Sequence, residues 1–90
     1  MIKIKDGFTM QNIGNTYLIV SSPQKNIESP KMFAINESGA ILWNELVKGT
    51  DKSGLLIALQ NEYKTDNIEI MKDIDEFLKC LHDMGVLDEE

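Results

Sequence analysis

Residues 33–46 read FAINESGAILWNEL, and they pass from strand to helix with no spare residue between. Phe33, Ala34 and Ile35 form a short apolar run with β-favouring members. Asn36 then offers a side-chain oxygen to the orphan N–H groups of a helix that begins at Glu37. Ile35 before the cap and Ala40 at the fourth helical position are placed like a hydrophobic staple, and Glu37 sets negative charge at the positive end of the helix dipole. Ala40, Leu42, Trp43, Leu46 and Val47 recur at three- and four-residue spacing, so the helix has an apolar face that the rest of the chain must cover.

On the N-terminal side, Ile2-Lys3-Ile4-Lys5 alternates with period two ahead of the turn signal Asp6-Gly7. Phe8 to Ile13 reads as a strand with Phe8, Met10 and Asn12 on one side. Gly14-Asn15, set between Ile13 and the apolar run Tyr17 to Val20, predicts a tight hairpin with a primed turn. Residues 21–30, SSPQKNIESP, read as an exposed loop leading to the third strand of the sheet, Lys31 to Ile35.

On the C-terminal side, Lys48-Gly49 fits a helix end, and Thr50 or Asp51 can cap a second helix running to about Tyr63. Leu55, Leu56, Leu59 and Tyr63 are at helical spacing, while Gly54 in the first turn weakens the helix by roughly 1 kcal/mol relative to Ala and predicts a fraying start. After a Lys64-Thr65 link, Asp66-x-x-Glu69 begins a long third helix that ends at Gly85. Its apolar positions Ile70, Met71, Ile74, Phe77, Leu78, Leu81 and Met84 make a stripe wide enough to face two surfaces. Val86-Leu87 is expected to fold back and Asp88-Glu89-Glu90 to be solvated. The expected fold is α+β and winged-helix-like, a three-stranded antiparallel sheet followed by three helices, in one domain over residues 1–90. So small a sheet leaves exposed edges, which must be blunted or used to bind an extended peptide.

Ninety residues with 42 % hydrophobic and 27 % charged content suit a single small globular domain. The lone Cys80 excludes an internal disulfide, and the chain has no apolar run of signal-peptide or membrane-spanning length, so a cytoplasmic protein is expected. Net charge is −6 and all nine basic residues are Lys, which disfavours nucleic acid as a partner.

The pattern holds no catalytic signature. Cys80 and His82, two apart on the third helix, point roughly 160° away from each other and cannot share a metal or form a nucleophile–base pair. No metal site, cofactor or catalytic residue is expected: two Cys or His ligands fall short of zinc's four, and no glycine-rich phosphate loop is present. Trp43 belongs to the apolar helix face, whereas Met32 and Met71 suit either core filling or an adaptable groove. Lys31, Lys72 and Lys79 read as solvated, although Lys72 and Lys79 share a helix face that could attract an acidic peptide.

Two runs carry a family resemblance. Ile35-Asn36-Glu37-Ser38-Gly39-Ala40 with Trp43 resembles the LNxxGAxxW run of the PqqD family, the RiPP recognition elements. Asp73-Ile74, Phe77-Leu78, Leu81 and Gly85 resemble that family's D-[VI]-x-x-F-L-x-x-L-x-x-x-G ending, and the likeness covers nearly the whole chain. Lys31 stands where the family often has Gly, and Gly54 where a capping-box Glu is frequent. The resemblance implies a non-catalytic adaptor that captures the leader segment of a ribosomally made precursor peptide and presents it to a modifying enzyme such as a radical SAM protein, a protease or a cyclase. It further implies that the leader adds as a strand beside the third strand, with Lys31, Met32, Phe33, Ala34 and Ile35 as the pairing edge. Ile70, Met71, Ile74, Phe77, Leu78 and Leu81 are then the candidate pool for the groove, of which several must be core.

Two other readings compete. A winged-helix DNA-binding regulator would use its third helix, but Lys72 and Lys79 share that helix with Glu69, Asp73, Asp75, Glu76 and Asp83. A structural subunit would pair its open edge with a second copy, so a monomer or weak dimer is expected.

Overall fold

The computed structural model describes residues 1–21, 32–64 and 66–89. They form β1 (Ile2–Ile4), β2 (Phe8–Ile13), β3 (Thr16–Ser21), β4 (Met32–Ile35), α1 (Glu37–Lys48), α2 (Lys52–Glu62), α3 (Asn67–Asp83) and β5 (Leu87–Glu89). The loop expected over residues 21–30 falls almost wholly outside the described residues, as do Lys31, Thr65 and Glu90.

Period-two alternation builds the sheet. β2, β3 and β4 form a three-stranded antiparallel sheet in that order, with Met10 opposite Ile19 and Ile19 opposite Phe33. Phe8, Met10, Ile19, Phe33 and Ile35 thus share the face that packs on the core. Asn12 lies on this side too, but beyond the core, where it is exposed. The β2–β3 hairpin closes through Gly14-Asn15, with Ile13 opposite Thr16. Gly14 has φ 63° and Asn15 does not have positive φ, the sign pattern of a II′ turn with Gly at its first central position.

Each helix begins at a side-chain cap. Asn36 Oδ1 accepts from the Gly39 amide at 2.8 Å and from the Ser38 hydroxyl at 3.0 Å, fixing the turn from β4 into α1. Asp51, rather than Thr50, caps α2 by accepting from the Gly54 amide at 2.9 Å, and Asp66 accepts from the Ile68 amide at 3.0 Å at the head of α3. α3 closes in a Schellman motif: the Gly85 amide donates to His82 O and the Val86 amide to Leu81 O, with Gly85 at φ 75°. Val86 and Leu81, which that motif brings together, are both fully buried.

The core gathers Leu42, Trp43 and Leu46 of α1, Leu55 and Leu59 of α2, Ile70, Ile74, Leu78 and Leu81 of α3, and Ile19 of the sheet. Burial of each such side chain stabilises the fold by about 1.5–3 kcal/mol relative to exposure. Val47, expected on this face, is 49 % exposed. Ala40, on the same flank of α1 seven residues earlier, is buried, so Val47 is exposed not by its angle but by its place in the last turn of the helix.

At the C-terminal end Val86 and Leu87 fold back onto the core and Asp88 is exposed, both as expected. Leu87–Glu89 also pair antiparallel with β1, Ile4 opposite Leu87 and Ile2 opposite Glu89, forming a separate two-stranded sheet that the sequence did not suggest. On its other side β1 meets the α1–α2 link: the Thr50 amide donates to Ile2 O and the Ile2 amide to Thr50 O. This explains why Thr50 is not the cap of α2. Ile4, Val86 and Leu87 close the bottom of the core, so both ends of the chain are tied down against it.

Candidate functional site

β4 is an edge strand. Among the described residues it pairs with β3 on one side and with no strand on the other. Its side chains alternate: Phe33 and Ile35 are half-buried and turned to the core, while Ala34 is exposed and Met32 is 69 % exposed on the opposite face. A row of unpaired backbone N–H and C=O groups on so short a strand is a template for strand addition.

At its C-terminal end β4 runs into two adjoining clefts. The first, about 300 Å³, lies between Asn36, Ser38 and Gly39 at the head of α1 and Asp73, Glu76 and Phe77 on α3, with Leu42 behind. The second, about 280 Å³, shares Asn36, Ser38 and Asp73 and extends over Leu59 and Ile70 to Tyr63 and Glu37. Asp73 is therefore the residue of α3 common to both. Gly39 makes the junction possible, because a Cβ there would stand 3.1 Å from the Phe77 ring, 3.1 Å from Asn36 Oδ1 and 3.2 Å from Ile35 Cβ. The missing side chain lets the Phe77 ring lie against the first turn of α1.

The clefts are polar-rimmed and acidic. Glu37, Asp73 and Glu76 are exposed, and among the described residues none of them pairs with a cation; the ion pairs join Lys48 to Glu45 at 3.8 Å and Lys52 to Asp75 at 3.0 Å. The Tyr63 phenol is held above its ordinary value near 10, first by desolvation and then by the negative charges of Glu37 and Glu62 and by Tyr17. At neutral pH it is a hydroxyl that can donate or accept.

The residues expected at the site divide by position. Lys31 lies outside the described residues. Phe77 is half-buried and lines the first cleft, and Ile70, 4 % exposed, floors the second. Ile74 and Leu81 are fully buried and Leu78 is 8 % exposed, so all three are core in this structure and line neither cleft. Met71 lies about 120° around α3 from Phe77, on the flank of Asp75, which reaches across to Lys52 of α2. It too lines neither cleft. Asn36, Ser38, Gly39, Tyr63 and Glu76 line the clefts without having been expected there, because caps and solvated acids account for such residues locally. The available signal was the i, i+4 pair Asp73 and Phe77, whose shared flank meets the Asn36 cap. Cys80 and His82 are both exposed, and no group of three or more His, Cys, Asp or Glu among the described residues is placed to hold a metal.

The architecture is a winged-helix-like α+β domain with an open sheet rim beside an amphipathic helix. The model of the PqqD family, coenzyme PQQ synthesis protein D, matches residues 25–87, and the chain belongs to that family. Among solved structures it is similar to TbiB1 in complex with the TbiA(beta) leader peptide, at 20 % identity and TM-score 0.79, covering 98 % of this chain and 96 % of that one. It is also similar to lasso peptide synthetase B1 complexed with the leader peptide, at 14 % identity and TM-score 0.77, covering 98 % of both chains. At these identities the likeness is one of fold. A comparison with curated protein sequences finds no match.

Proposed function

We propose that this protein binds the leader segment of a ribosomally synthesised precursor peptide by strand addition along β4 and presents it to a peptide-modifying enzyme. The observation that carries the reading is the rim of β4, open among the described residues, running into two clefts walled by α1, α2 and α3. Backbone pairing supplies affinity that is indifferent to sequence, and the clefts supply register by accepting alternate side chains. The two structural neighbours were each solved with a leader peptide, which supports the same use of this fold. The protein acts by holding its ligand and carries out no chemical step of its own. Its place of action is the cytoplasm, where the exposed Cys80 thiol stays reduced. Its partner enzyme is of the radical SAM, protease or cyclase kind.

One added strand with two or three buried side chains gives micromolar binding or better, about −8 kcal/mol. Calorimetric titration with the synthetic leader of its precursor peptide should yield one-to-one binding in that range. Random duplex DNA should produce no salt-dependent complex at low micromolar protein. A DNA complex without peptide binding would overturn the proposal in favour of a DNA-binding regulator, which the acids of α3 and the net charge of −6 argue against.

A further inference from the structure

We infer that the peptide captured at β4 is selected by a basic side chain, Lys or Arg, seated between Asp73 and Glu76 in the first cleft. The inference rests on the strand-addition reading and adds the chemistry of the ligand to it. On a strand laid beside β4, alternate side chains point to the same side as Phe33 and Ile35, the side of the core, where Ile35 and Phe77 of α3 both stand against Gly39. The side chain next to Ile35 arrives where β4 ends, at the mouth of the cleft formed by Asn36, Gly39, Asp73, Glu76 and Phe77.

What the cleft offers that side chain is specific. Its apolar wall is the Phe77 ring with Leu42 behind, suited to a long aliphatic stem, and its charged rim is two carboxylates that no cation among the described residues neutralises. A third carboxylate, Glu37, stands on the adjoining cleft beside the Tyr63 and Ser38 hydroxyls. A cation held between the carboxylates gains from both charges while its aliphatic stem packs on the Phe77 ring, whereas an acidic side chain is repelled by three charges in a molecule of net charge −6. Lys72 and Lys79, which the sequence suggested as an attraction for acidic peptides, line neither cleft. An Arg fork can engage a carboxylate through two parallel bonds, so Arg is the better fit of the two.

The test selects binders from a phage-displayed library of random twelve-residue peptides on the intact protein, then synthesises those enriched. The expected result is a Lys or Arg fixed at one position in peptides whose binding shifts the amides of Met32–Ile35. Replacing that residue by Gln should weaken binding about three- to tenfold at low salt and less at high salt. The double variant Asp73→Asn/Glu76→Gln, isosteric at two exposed positions, should show the same loss and no further loss with the Gln peptide. Peptides that pair along β4 without a basic residue, or that bind the double variant unchanged, would overturn this inference and leave strand addition standing. Enriched peptides that leave the amides of Met32–Ile35 undisturbed would overturn the strand-addition reading and this inference together.

Discussion

Gly39→Ala places a methyl group at the point where β4, α1 and α3 meet. In an unconstrained helix interior the change would stabilise, since Ala is favoured over Gly by about 0.8–1.0 kcal/mol, and in the first turn the gain is smaller. Here the new Cβ would stand 3.1 Å from Asn36 Oδ1, 3.1 Å from Phe77 Cε1 and 3.2 Å from Ile35 Cβ, all inside the ordinary carbon contact distance of about 3.5–4.0 Å. The Phe77 ring can swing away. Asn36 Oδ1 is committed to the Gly39 amide at 2.8 Å, and Ile35 is held in the β3–β4 ladder opposite Tyr17, so neither yields freely. Overpacking of this kind costs about 1–3 kcal/mol, which outweighs the propensity gain and leaves a net loss of about 1 kcal/mol. For a domain of this size that lowers Tm by roughly 4–8 °C, readable by circular dichroism. In a Phe77→Leu background one of the three contacts disappears, so the same substitution should cost less. A Gly39→Ala protein that melts several degrees higher than the parent would refute the close packing of Ile35, Asn36 and Phe77 around Gly39 and with it the shape of the first cleft.

Ile74→Ala should destabilise by about 2–5 kcal/mol in urea unfolding, as expected of a fully buried side chain, while Ile74→Val should cost about 0.5–1.5 kcal/mol and leave peptide affinity unchanged. A large affinity loss in Ile74→Val would return Ile74 to the groove. Leu87→Ala should cost about 2–5 kcal/mol, because Leu87 is 6 % exposed and pairs with Ile4; a solvated tail would show almost no effect. Phe77→Ala should weaken leader binding more than Met71→Ala, since only Phe77 lines a cleft; equal losses measured by calorimetry would place the ligand elsewhere. The raised Tyr63 pKa means that the folded state resists ionisation: its contribution is fully present below about pH 10 and is lost as pH rises through the folded-state value. Tyr63→Phe should therefore flatten the alkaline fall in stability, and an unchanged fall would assign it to other groups.

Local chemistry made much of this fold legible. The strand, the Asn36 cap and the start of α1 at Glu37 fell where the sequence placed them, because a cap and the apolar face behind it are encoded within a dozen residues. The Gly14-Asn15 hairpin was equally local. β5 was not legible, since Leu87-Asp88-Glu89 is too short to show a period and its partner lies at the far end of the chain. The candidate site divides the same way. The edge position of β4 followed from counting strands, but periodicity alone could not sort the apolar stripe of α3. Ile74 and Phe77 are three residues apart on that stripe, and only the packing of α1 and α2 against it makes one core and the other a cleft wall. The polar half of the clefts was hidden for a further reason: Asn36 and Glu76 each have an adequate local role, as helix cap and as solvated acid.

The proposed function requires that an extended polypeptide add to the rim of β4 that is open among the described residues. Isotope-edited NMR of the protein with a bound leader peptide tests it most directly. Strand addition should give a ladder of cross-strand contacts between peptide α-protons and the backbone of Met32–Ile35, with slowed amide exchange along that strand. A bound peptide that is helical, or whose contacts fall on other elements while β4 amides exchange as before, would contradict it.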